Sequence, residues 1–221
     1  MLMSEKLIGH TPERIADMID VSRETREKLI VYIDLLAKWQ RRINLVGPKT
    51  MQDVWRRHVL DSAQLYKFVN NKGGPLLDLG SGGGFPGLVL SIMGVSNIAL
   101  LESSQKKCSF LGEVIRQTGC DAVVFKGRIE NYPIKNAGKF ITARALAPLE
   151  DLLEWSYPLL AVGGECLFLK GKNYEDELTS SGKRWTMEVK IHPSLSDAPP
   201  NKDGFNAGVL LQIGKLSRRD G

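Results

Sequence analysis

A short apolar segment that ends in an acid and runs into a glycine-rich turn restricts the fold of this chain most. The segment Leu76–Leu79 is followed by Gly80-Ser81-Gly82-Gly83-Gly84-Phe85-Pro86-Gly87. Glycines let a backbone approach a ligand closely, and proline suits the first turn of a helix, so a helix can begin at Pro86. A strand, a glycine turn and the free amides of a helix N-terminus form a nucleotide-binding corner. The pattern therefore predicts an α/β fold with such a corner.

The acid before the glycines indicates the kind of nucleotide. Gly82, Gly84 and Gly87 satisfy the G-x-G-x-x-G pattern of dinucleotide sites, which is weak by itself. Asp78 lies two residues before Gly80, where a dinucleotide-binding strand is normally still apolar, and a carboxylate there suits a cationic ligand. S-adenosylmethionine carries a sulfonium and an ammonium. We therefore predict a methyl-donor site that includes Asp78, Gly82 and Gly84, with a nicotinamide or flavin site and a purely structural turn as alternatives.

Composition excludes several classes of protein. With 221 residues, 43% of them hydrophobic, the chain can form one packed domain with a smaller helical attachment. No apolar run approaches the ~20 residues that span a bilayer, and the N-terminus lacks the layout of a signal peptide. The three cysteines and three histidines are not spaced as metal ligands or as a disulfide framework, so we expect no metal and a reducing, cytoplasmic location without membrane contact. The net charge of +5 is compatible with a polyanionic partner and equally with an ordinary solvated surface.

Residues 1–72 have the periodicity of helices and form the predicted N-terminal extension. Ser22 is a suitable N-cap for a helix whose apolar side chains recur every three or four residues. We expect this helix to end near Asn44 to Pro48, because a Gly-Pro pair there breaks helices. Thr50 followed by Asp53 resembles a capping arrangement for a second helix.

Strand-like and helix-like segments alternate through residues 73–221, the predicted methyltransferase domain. This alternation predicts a doubly wound, Rossmann-like parallel sheet of the class I methyltransferase type, with helices on both faces. Seven strands are expected, the last two as an antiparallel hairpin joined by a polar loop at residues 194–204. The predicted strands are 76–79, 98–102, 123–126, 140–143, 165–170, 187–192 and 208–213. The predicted helices are 86–93, 104–118, 148–160 and 174–181.

The predicted strand ends carry groups that suit a nucleoside. In such a sheet the ligand lies beyond the carboxyl ends of the strands. Glu102 ends the second strand about 20 residues after the glycine turn, where a carboxylate accepts hydrogen bonds from both ribose hydroxyls. The alternative is an exposed acid that caps the next helix at Ser103 and Ser104. After the third strand, in Gly127-Arg128-Ile129-Glu130, an apolar side chain can cover an adenine, although an ordinary turn explains this tetrapeptide equally well.

Arg144 ends the fourth predicted strand and needs a partner, because an unpaired buried charge is costly. Its guanidinium can bind the carboxylate of the donor or a substrate phosphate. A structural ion pair with Asp78 or Glu130 is the alternative.

Two N-terminal segments combine cations with an indole, Lys38-Trp39-Gln40-Arg41-Arg42 and Trp55-Arg56-Arg57-His58. Cations neutralise phosphates and aromatic rings stack on bases. Because Trp39 has the spacing of a core residue, we expect it to pack against the main domain. The predicted RNA contacts are Arg41, Arg42, Arg56, Arg57, His58 and Lys170, the last at the end of the fifth strand.

Over nearly its full length the chain resembles the bacterial small-subunit ribosomal RNA guanine methyltransferase family, RsmG or GidB. The resemblance depends on six blocks in the order in which the family has them. They are Lys38-Trp39 to Asn44-Leu45-Val46, Arg57-His58-Val59-Leu60-Asp61-Ser62, Asp78 to Gly87, Gly127 to Glu130, Arg144-Ala145-Leu146-Ala147-Pro148-Leu149 and Leu169-Lys170-Gly171.

The resemblance implies methyl transfer from S-adenosylmethionine to nitrogen 7 of a guanine in the decoding region of 16S ribosomal RNA. The partner would be this RNA or a ribosomal particle, and we expect a monomer. By position, the resemblance assigns donor contacts to Gly80, Phe85, Ile129, Glu130 and Arg144.

Nitrogen 7 has a free lone pair, so no general base is needed and catalysis can be mainly positioning, with Arg144 as the candidate catalytic residue. Methylation of a pyrimidine at C5 needs an activating cysteine, and none of the three cysteines follows a proline as in the usual motif. Another RNA position, a small-molecule substrate, or a non-catalytic RNA-binding module are the alternatives.

Overall fold

The structure is a computed structural model that describes residues 11–70, 72–196 and 208–219. The predicted extension is therefore described from residue 11. Most of the predicted polar loop at residues 194–204 lies outside the described residues. No helix in these ranges is long and apolar enough to cross a membrane.

The described residues contain a seven-stranded sheet with the order β3-β2-β1-β4-β5-β7-β6. The first five strands are parallel, and β7 is antiparallel to both β5 and β6. The strands are β1 Leu76–Leu79, β2 Ile98–Glu102, β3 Ala122–Lys126, β4 Gly138–Arg144, β5 Leu160–Lys170, β6 Trp185–Pro193 and β7 Val209–Arg218. The predicted doubly wound sheet and its final antiparallel hairpin are confirmed.

Helices cover both faces of the sheet because its parallel strands are apolar on both sides. In β1, Leu76 belongs to the hydrophobic cluster of one face, whereas Leu77 and Leu79 belong to that of the other. The first face carries α5 and α6, and the second carries α7 and α8. These helices are α5 Gly87–Ile92, α6 Gln105–Thr118, α7 Leu149–Ser156 and α8 Tyr174–Ser181.

The predicted helix at 148–160 is too long. The α-helix ends at Ser156 and continues as a 3-10 turn, Tyr157–Leu159, before β5 begins at Leu160. Pro158 lacks the amide hydrogen that a further α-helical turn needs. The fifth strand therefore begins earlier than predicted.

The N-terminal segment begins with α1 Pro12–Ile19 and α2 Arg23–Gln40. The Ser22 side chain accepts a hydrogen bond from the Thr25 amide, which confirms the predicted N-cap. The predicted end of α2 near Asn44 to Pro48 is wrong. The Gln40 side chain accepts hydrogen bonds from the amides of Leu45 and Val46, at 2.8 and 3.1 Å, and donates to the Val46 carbonyl at 2.8 Å. These bonds satisfy backbone groups of the following segment outside any helix.

The predicted cap at Thr50 and Asp53 is also wrong. A 3-10 helix, Pro48–Asp53, already contains both residues and leads into a π-helix, Trp55–Leu60. The Thr50 hydroxyl donates back to the Gly47 carbonyl, and Asp53 pairs with Arg56. Two short helices follow, α3 Asp61–Ala63 and α4 Tyr66–Val69.

The N-terminal helices share one hydrophobic core with the first face of the sheet. Fully buried Tyr32 and Leu36 of α2 belong to the same cluster as Leu76 of β1. The ring of Trp39 lies 5.7 Å from that of Phe110 in α6. The expected packing of Trp39 is therefore confirmed, and a contiguous core joins the two predicted domains.

Candidate active site

A cavity of about 870 Å³ opens at the carboxyl ends of the parallel strands and has two walls of different origin. One wall comes from the loops that follow β1, β2 and β3, which include Gly80, Ser81, Gly82, Glu102, Ser103 and Gly127 to Glu130. The other comes from the N-terminal segment, with Asn44 to Gly47, Thr50, Arg57, His58 and Asp61. Phe85 and Arg144 also line the cavity.

The glycine turn needs glycine at Gly80 and Gly82, which have φ angles of +59° and +55°. A Cβ on Gly80 would lie 2.4 Å from the Leu146 side chain. A Cβ on Gly82 would meet nothing closer than the Gly80 carbonyl at 3.6 Å, so that position faces open cavity. Gly82 is therefore the point of the turn that a ligand can approach closely.

Asp78 supports the turn from below and does not line the cavity. It is fully buried, and its carboxylate accepts hydrogen bonds from the Thr142 hydroxyl at 2.8 Å and the Gly87 amide at 3.3 Å. Burial raises the pKa of Asp78 to about 6, although these hydrogen bonds oppose the shift. The predicted direct contact with a ligand does not agree with this position, and we correct the role of Asp78 to holding the turn against α5.

Gly84 is also a packing position and lies outside the cavity lining. A Cβ there would lie 2.4 Å from Leu88 and 2.9 Å from the Tyr32 hydroxyl. That hydroxyl donates a buried hydrogen bond of 2.5 Å to the Gly83 carbonyl. The predicted ligand contact of Gly84 is corrected accordingly. Through this hydrogen bond the N-terminal helix α2 holds the glycine turn in place.

Glu102 combines the two roles that the sequence offered as alternatives. One carboxylate oxygen accepts from the Gly82 amide at 3.0 Å and the other from the Ser104 amide, next to the start of α6, at 2.7 Å. The residue is 7% exposed and lines the cavity, so it is not an exposed acid. Ser103 lines the cavity beside it.

The turn after β3 forms the next part of the wall. Ile129 is buried at its start, and Glu130 is exposed next to it. Both line the cavity, as predicted for an adenine site. The Gly127 amide donates to the Glu102 carbonyl at 3.0 Å, and this bond fixes the turn relative to Glu102, the predicted ribose contact.

Arg144 lies between the two walls and pairs with Asp61, not with Asp78 or Glu130. Its Nη1 is 3.5 Å from an Asp61 carboxylate oxygen and donates to the Arg57 carbonyl at 2.8 Å. Its guanidinium lies 5.1 Å from the centre of the Phe85 ring, and its other terminal nitrogen contacts His58 Nδ1. Desolvation lowers the pKa of Arg144, and Asp61 opposes the shift. The alternative of an ion pair with Asp78 or Glu130 is therefore not what the structure shows, and the acid that pairs with Arg144 lies 83 positions away in the chain.

His58 is a buried wall residue. Its ring centre lies 4.9 Å from that of Phe85, and its Nε2 is 2.7 Å from the Thr50 hydroxyl. Burial and the nearby Arg144 and Arg57 charges lower the pKa of His58 to about 2. The ring is therefore neutral, which does not favour its predicted contact with RNA phosphates.

The other predicted RNA residues divide into exposed cations and cations with internal partners. Arg41 and Arg42 are exposed, and Arg57 is exposed at the cavity. Arg56 binds Asp53 and the Ser196 carbonyl. Lys170 binds Glu177 at 2.6 Å and the Ala147 carbonyl at 3.0 Å. These internal partners do not favour phosphate contacts by Arg56 and Lys170, although Lys170 also lines the cavity.

Sequence reasoning missed several residues of the cavity. Asn44 to Val46 and Asp61 lie within the blocks that carry the family resemblance, and Gly47 directly follows one of them, but none of these residues was assigned a role in the site from the sequence. Lys107 of α6 and Arg128 add positive charge to the wall near Glu102. No local pattern marks Lys107, since a lysine on a helix is ordinarily solvated. The cysteines lie elsewhere: Cys108 and Cys166 are buried, and none of the three lines the described cavity.

A family model and curated relatives match this chain over most of its length. The model described as rRNA small subunit methyltransferase G matches residues 25–201. A protein of that name from Paramagnetospirillum magneticum is 50% identical, over 94% of this chain and 97% of its own length. The chain belongs to the rRNA small subunit methyltransferase G family. Another member, from Rhodospirillum rubrum, is 46% identical over 94% of this chain and 99% of its own.

A solved structure shows the same fold at low sequence identity. The crystal structure of M. jannaschii TYW2 in complex with AdoMet has a TM-score of 0.55 at 12% identity, and the match covers 81% of this chain and 80% of that one. The class I methyltransferase fold predicted from the alternating strands and helices is therefore confirmed. The family resemblance predicted from the six sequence blocks is confirmed as well.

Proposed function

We propose that this protein transfers the methyl group of S-adenosylmethionine to nitrogen 7 of a guanine in the decoding region of 16S ribosomal RNA. The observation that carries the proposal is a single cavity with a nucleoside-type wall on one side and a cationic wall on the other, in a chain of this family. A donor and a nucleotide acceptor can meet there.

The donor subsite is supported by the free acceptor positions of Glu102. Each oxygen of an ionised carboxylate has about two acceptor positions, and each Glu102 oxygen uses one of them for a backbone amide. One position on each oxygen is left for the two ribose hydroxyls. Ile129 offers an apolar surface for the adenine, with Glu130 at its edge, and Gly80, Gly82, Ser103 and Phe85 complete the lining.

The acceptor chemistry agrees with the groups present. The lone pair of nitrogen 7 forms the new N–C bond, and the electrons of the broken C–S bond pass to sulfur, so the positive charge moves to the base and no proton is transferred. His58, which lines the cavity, has its Nδ1 facing Arg144 and is not free to act as a base. Arg144, between the two walls, is the proposed positioning group.

The RNA interface is proposed at the cationic rim of the cavity. Arg57, Lys107 and Arg128 line it, and the exposed Arg41 and Arg42 directly precede the wall segment. Replacing Arg57 by alanine should reduce the slope of log affinity against log salt by roughly one for each lost phosphate contact, with donor affinity unchanged. Arg184, which pairs with Glu150 and Glu154 away from the cavity, supplies a matched control.

The proposal includes action in the cytoplasm, where ribosomal RNA is found. It also includes a monomer as the active form, because one chain supplies both walls of the cavity.

The test is to incubate the protein with isotopically labelled S-adenosylmethionine and small ribosomal subunits that lack the modification. Mass spectrometry of the digested RNA should place the label on one guanine of the decoding region. Glu102→Gln should lose donor binding and transfer together. Absence of label from the RNA, with the donor bound, would overturn the proposal.

A further inference from the structure

A continuous chain of hydrogen bonds connects Arg144 with the opposite wall of the cavity. A terminal nitrogen of Arg144 contacts His58 Nδ1. His58 Nε2 lies 2.7 Å from the Thr50 hydroxyl, which lies 2.7 Å from the Gly47 carbonyl. All four residues of this hydrogen-bond chain line the cavity.

The direction of each hydrogen bond follows from what each group can donate. A guanidinium has donors only, so His58 Nδ1 must accept from Arg144. The ring proton is then on Nε2, which donates to the Thr50 oxygen, and the hydroxyl hydrogen is left for the Gly47 carbonyl, which can only accept. The geometry therefore selects one neutral tautomer of His58. The low pKa of His58, caused by burial and by the Arg144 and Arg57 charges, agrees with a neutral ring.

The wall segment Asn44 to Thr50 is held at two points by side chains. Gln40 bonds the backbone of Leu45 and Val46 on the side of α2. Thr50 bonds Gly47, and through His58 this second point is connected to Arg144. The orientation of Arg144 and the position of the wall are thus set by the same bonds.

We propose that His58 and Thr50 are positioning residues for methyl transfer, which couple the orientation of Arg144 to the position of the cavity wall at Asn44 to Thr50. The inference rests on the proposed function, since methyl transfer is its main readout. In-line transfer depends strongly on alignment, and misplacement by 1 Å can cost about 100-fold in rate. Loss of the Thr50 hydroxyl removes the partner of the buried His58 Nε2 proton and leaves the wall without its second point of attachment.

The test is a double-mutant cycle on Thr50→Val and Arg144→Lys, with single-turnover methyl transfer to small subunits as the readout. In the wild-type background, Thr50→Val should lower the rate about 10-fold or more. In the Arg144→Lys background it should lower the rate less than about threefold, because Arg144→Lys has already broken the hydrogen-bond chain. Thr50→Ser, which keeps the hydroxyl, should restore most of the rate. The affinity for S-adenosylmethionine should stay within about twofold for Thr50→Val and Thr50→Ser, since Thr50 lies on the N-terminal wall and not on the loops after β1, β2 and β3.

A matched control is Thr118→Val, which removes a hydroxyl that donates to a helix carbonyl at the far end of α6. Wild-type turnover is expected for this variant. Equal losses for Thr50→Val in both backgrounds, or a normal rate for Thr50→Val, would overturn the proposal.

Nitrogen chemical shifts of the His58 ring provide a readout that does not depend on activity. We expect the neutral form with its proton on Nε2 throughout pH 5 to 8. A charged ring, or a proton on Nδ1, overturns the proposal even if the protein methylates RNA. If the wild-type protein transfers no methyl group while His58 shows the expected tautomer, the proposed function fails and the hydrogen-bond chain does not.

Discussion

Replacing Tyr32 by phenylalanine tests whether the N-terminal helix is part of the donor site. The change removes one oxygen, the donor of the buried 2.5 Å hydrogen bond to the Gly83 carbonyl. The ring itself remains and keeps its packing on Phe85 and Phe110, at centroid distances of 5.2 and 6.3 Å. Any effect on binding must therefore come from the loss of this bond.

The magnitude follows from the burial of the bond. Leaving a buried carbonyl without a partner costs about 1–3 kcal/mol, so the free energy of unfolding should fall by about that amount. If the lost hydrogen bond costs about 1 kcal/mol, the glycine turn adopts its binding conformation up to about fivefold less often. The apparent affinity for S-adenosylmethionine then falls by the same factor. We expect a two- to fivefold loss, about 0.4–1 kcal/mol.

Calorimetric titration with S-adenosylmethionine and urea unfolding of the same samples measure both effects. The control is Tyr66→Phe, because the Tyr66 hydroxyl makes no hydrogen bond to the residues that the structure describes. The reasoning is refuted if Tyr32→Phe binds the donor as tightly as the wild type, or if Tyr66→Phe loses as much affinity.

Three further predictions concern the turn, its supporting acid and the thiols. Gly82→Val should weaken donor binding by about tenfold or more in a calorimetric titration, because the side chain enters open cavity at a φ of +55°; unchanged affinity would contradict the assignment of this turn. Asp78 has a folded-state pKa of about 6, above its unfolded value, so its contribution to stability is full below pH 4 and is lost as the pH rises to 6. From pH 5 to pH 7 the free energy of unfolding of the wild type, measured with urea, should therefore fall by about 1 kcal/mol relative to that of Asp78→Asn. If the difference between the two free energies stays constant over this range, Asp78 is ionised throughout and the prediction is wrong. Cys108, Cys120 and Cys166 replaced together by alanine should keep methyl transfer per folded molecule, since none lines the described cavity, and abolished transfer would point to a thiol mechanism.

The donor corner could be predicted from the sequence because its signal is local. A strand, a glycine turn and a helix follow one another between Leu76 and Ile92, and parallel strands bring their carboxyl ends to one edge of the sheet. The position of Glu102 at that edge followed from the same rule. The family resemblance added Phe85 and supported Ile129, and the structure places both in the cavity.

The rest of the site depends on contacts between distant parts of the chain. The partner of Arg144 is Asp61, 83 positions away, and no spacing in the sequence connects the two. Gln40 bonds the backbone that follows α2, so its role depends on the path of that segment. His58 lies in a π-helix, which no residue pattern in the sequence predicted. The predicted ligand contact of Asp78 was wrong for a related reason. Tertiary packing buries this carboxylate beneath the glycine turn, and the local sequence does not show that.

Chemical cleavage at the methylated base tests the central claim most directly. Methylation at nitrogen 7 gives the guanine a fixed positive charge, so borohydride reduction followed by aniline should cut small-subunit RNA treated with the protein and S-adenosylmethionine at one guanine of the decoding region. RNA treated with the Arg144→Ala variant should show little cleavage, because that variant lacks the charged group between the two walls. Labelled methyl in the RNA without cleavage at a guanine would contradict the assignment to nitrogen 7.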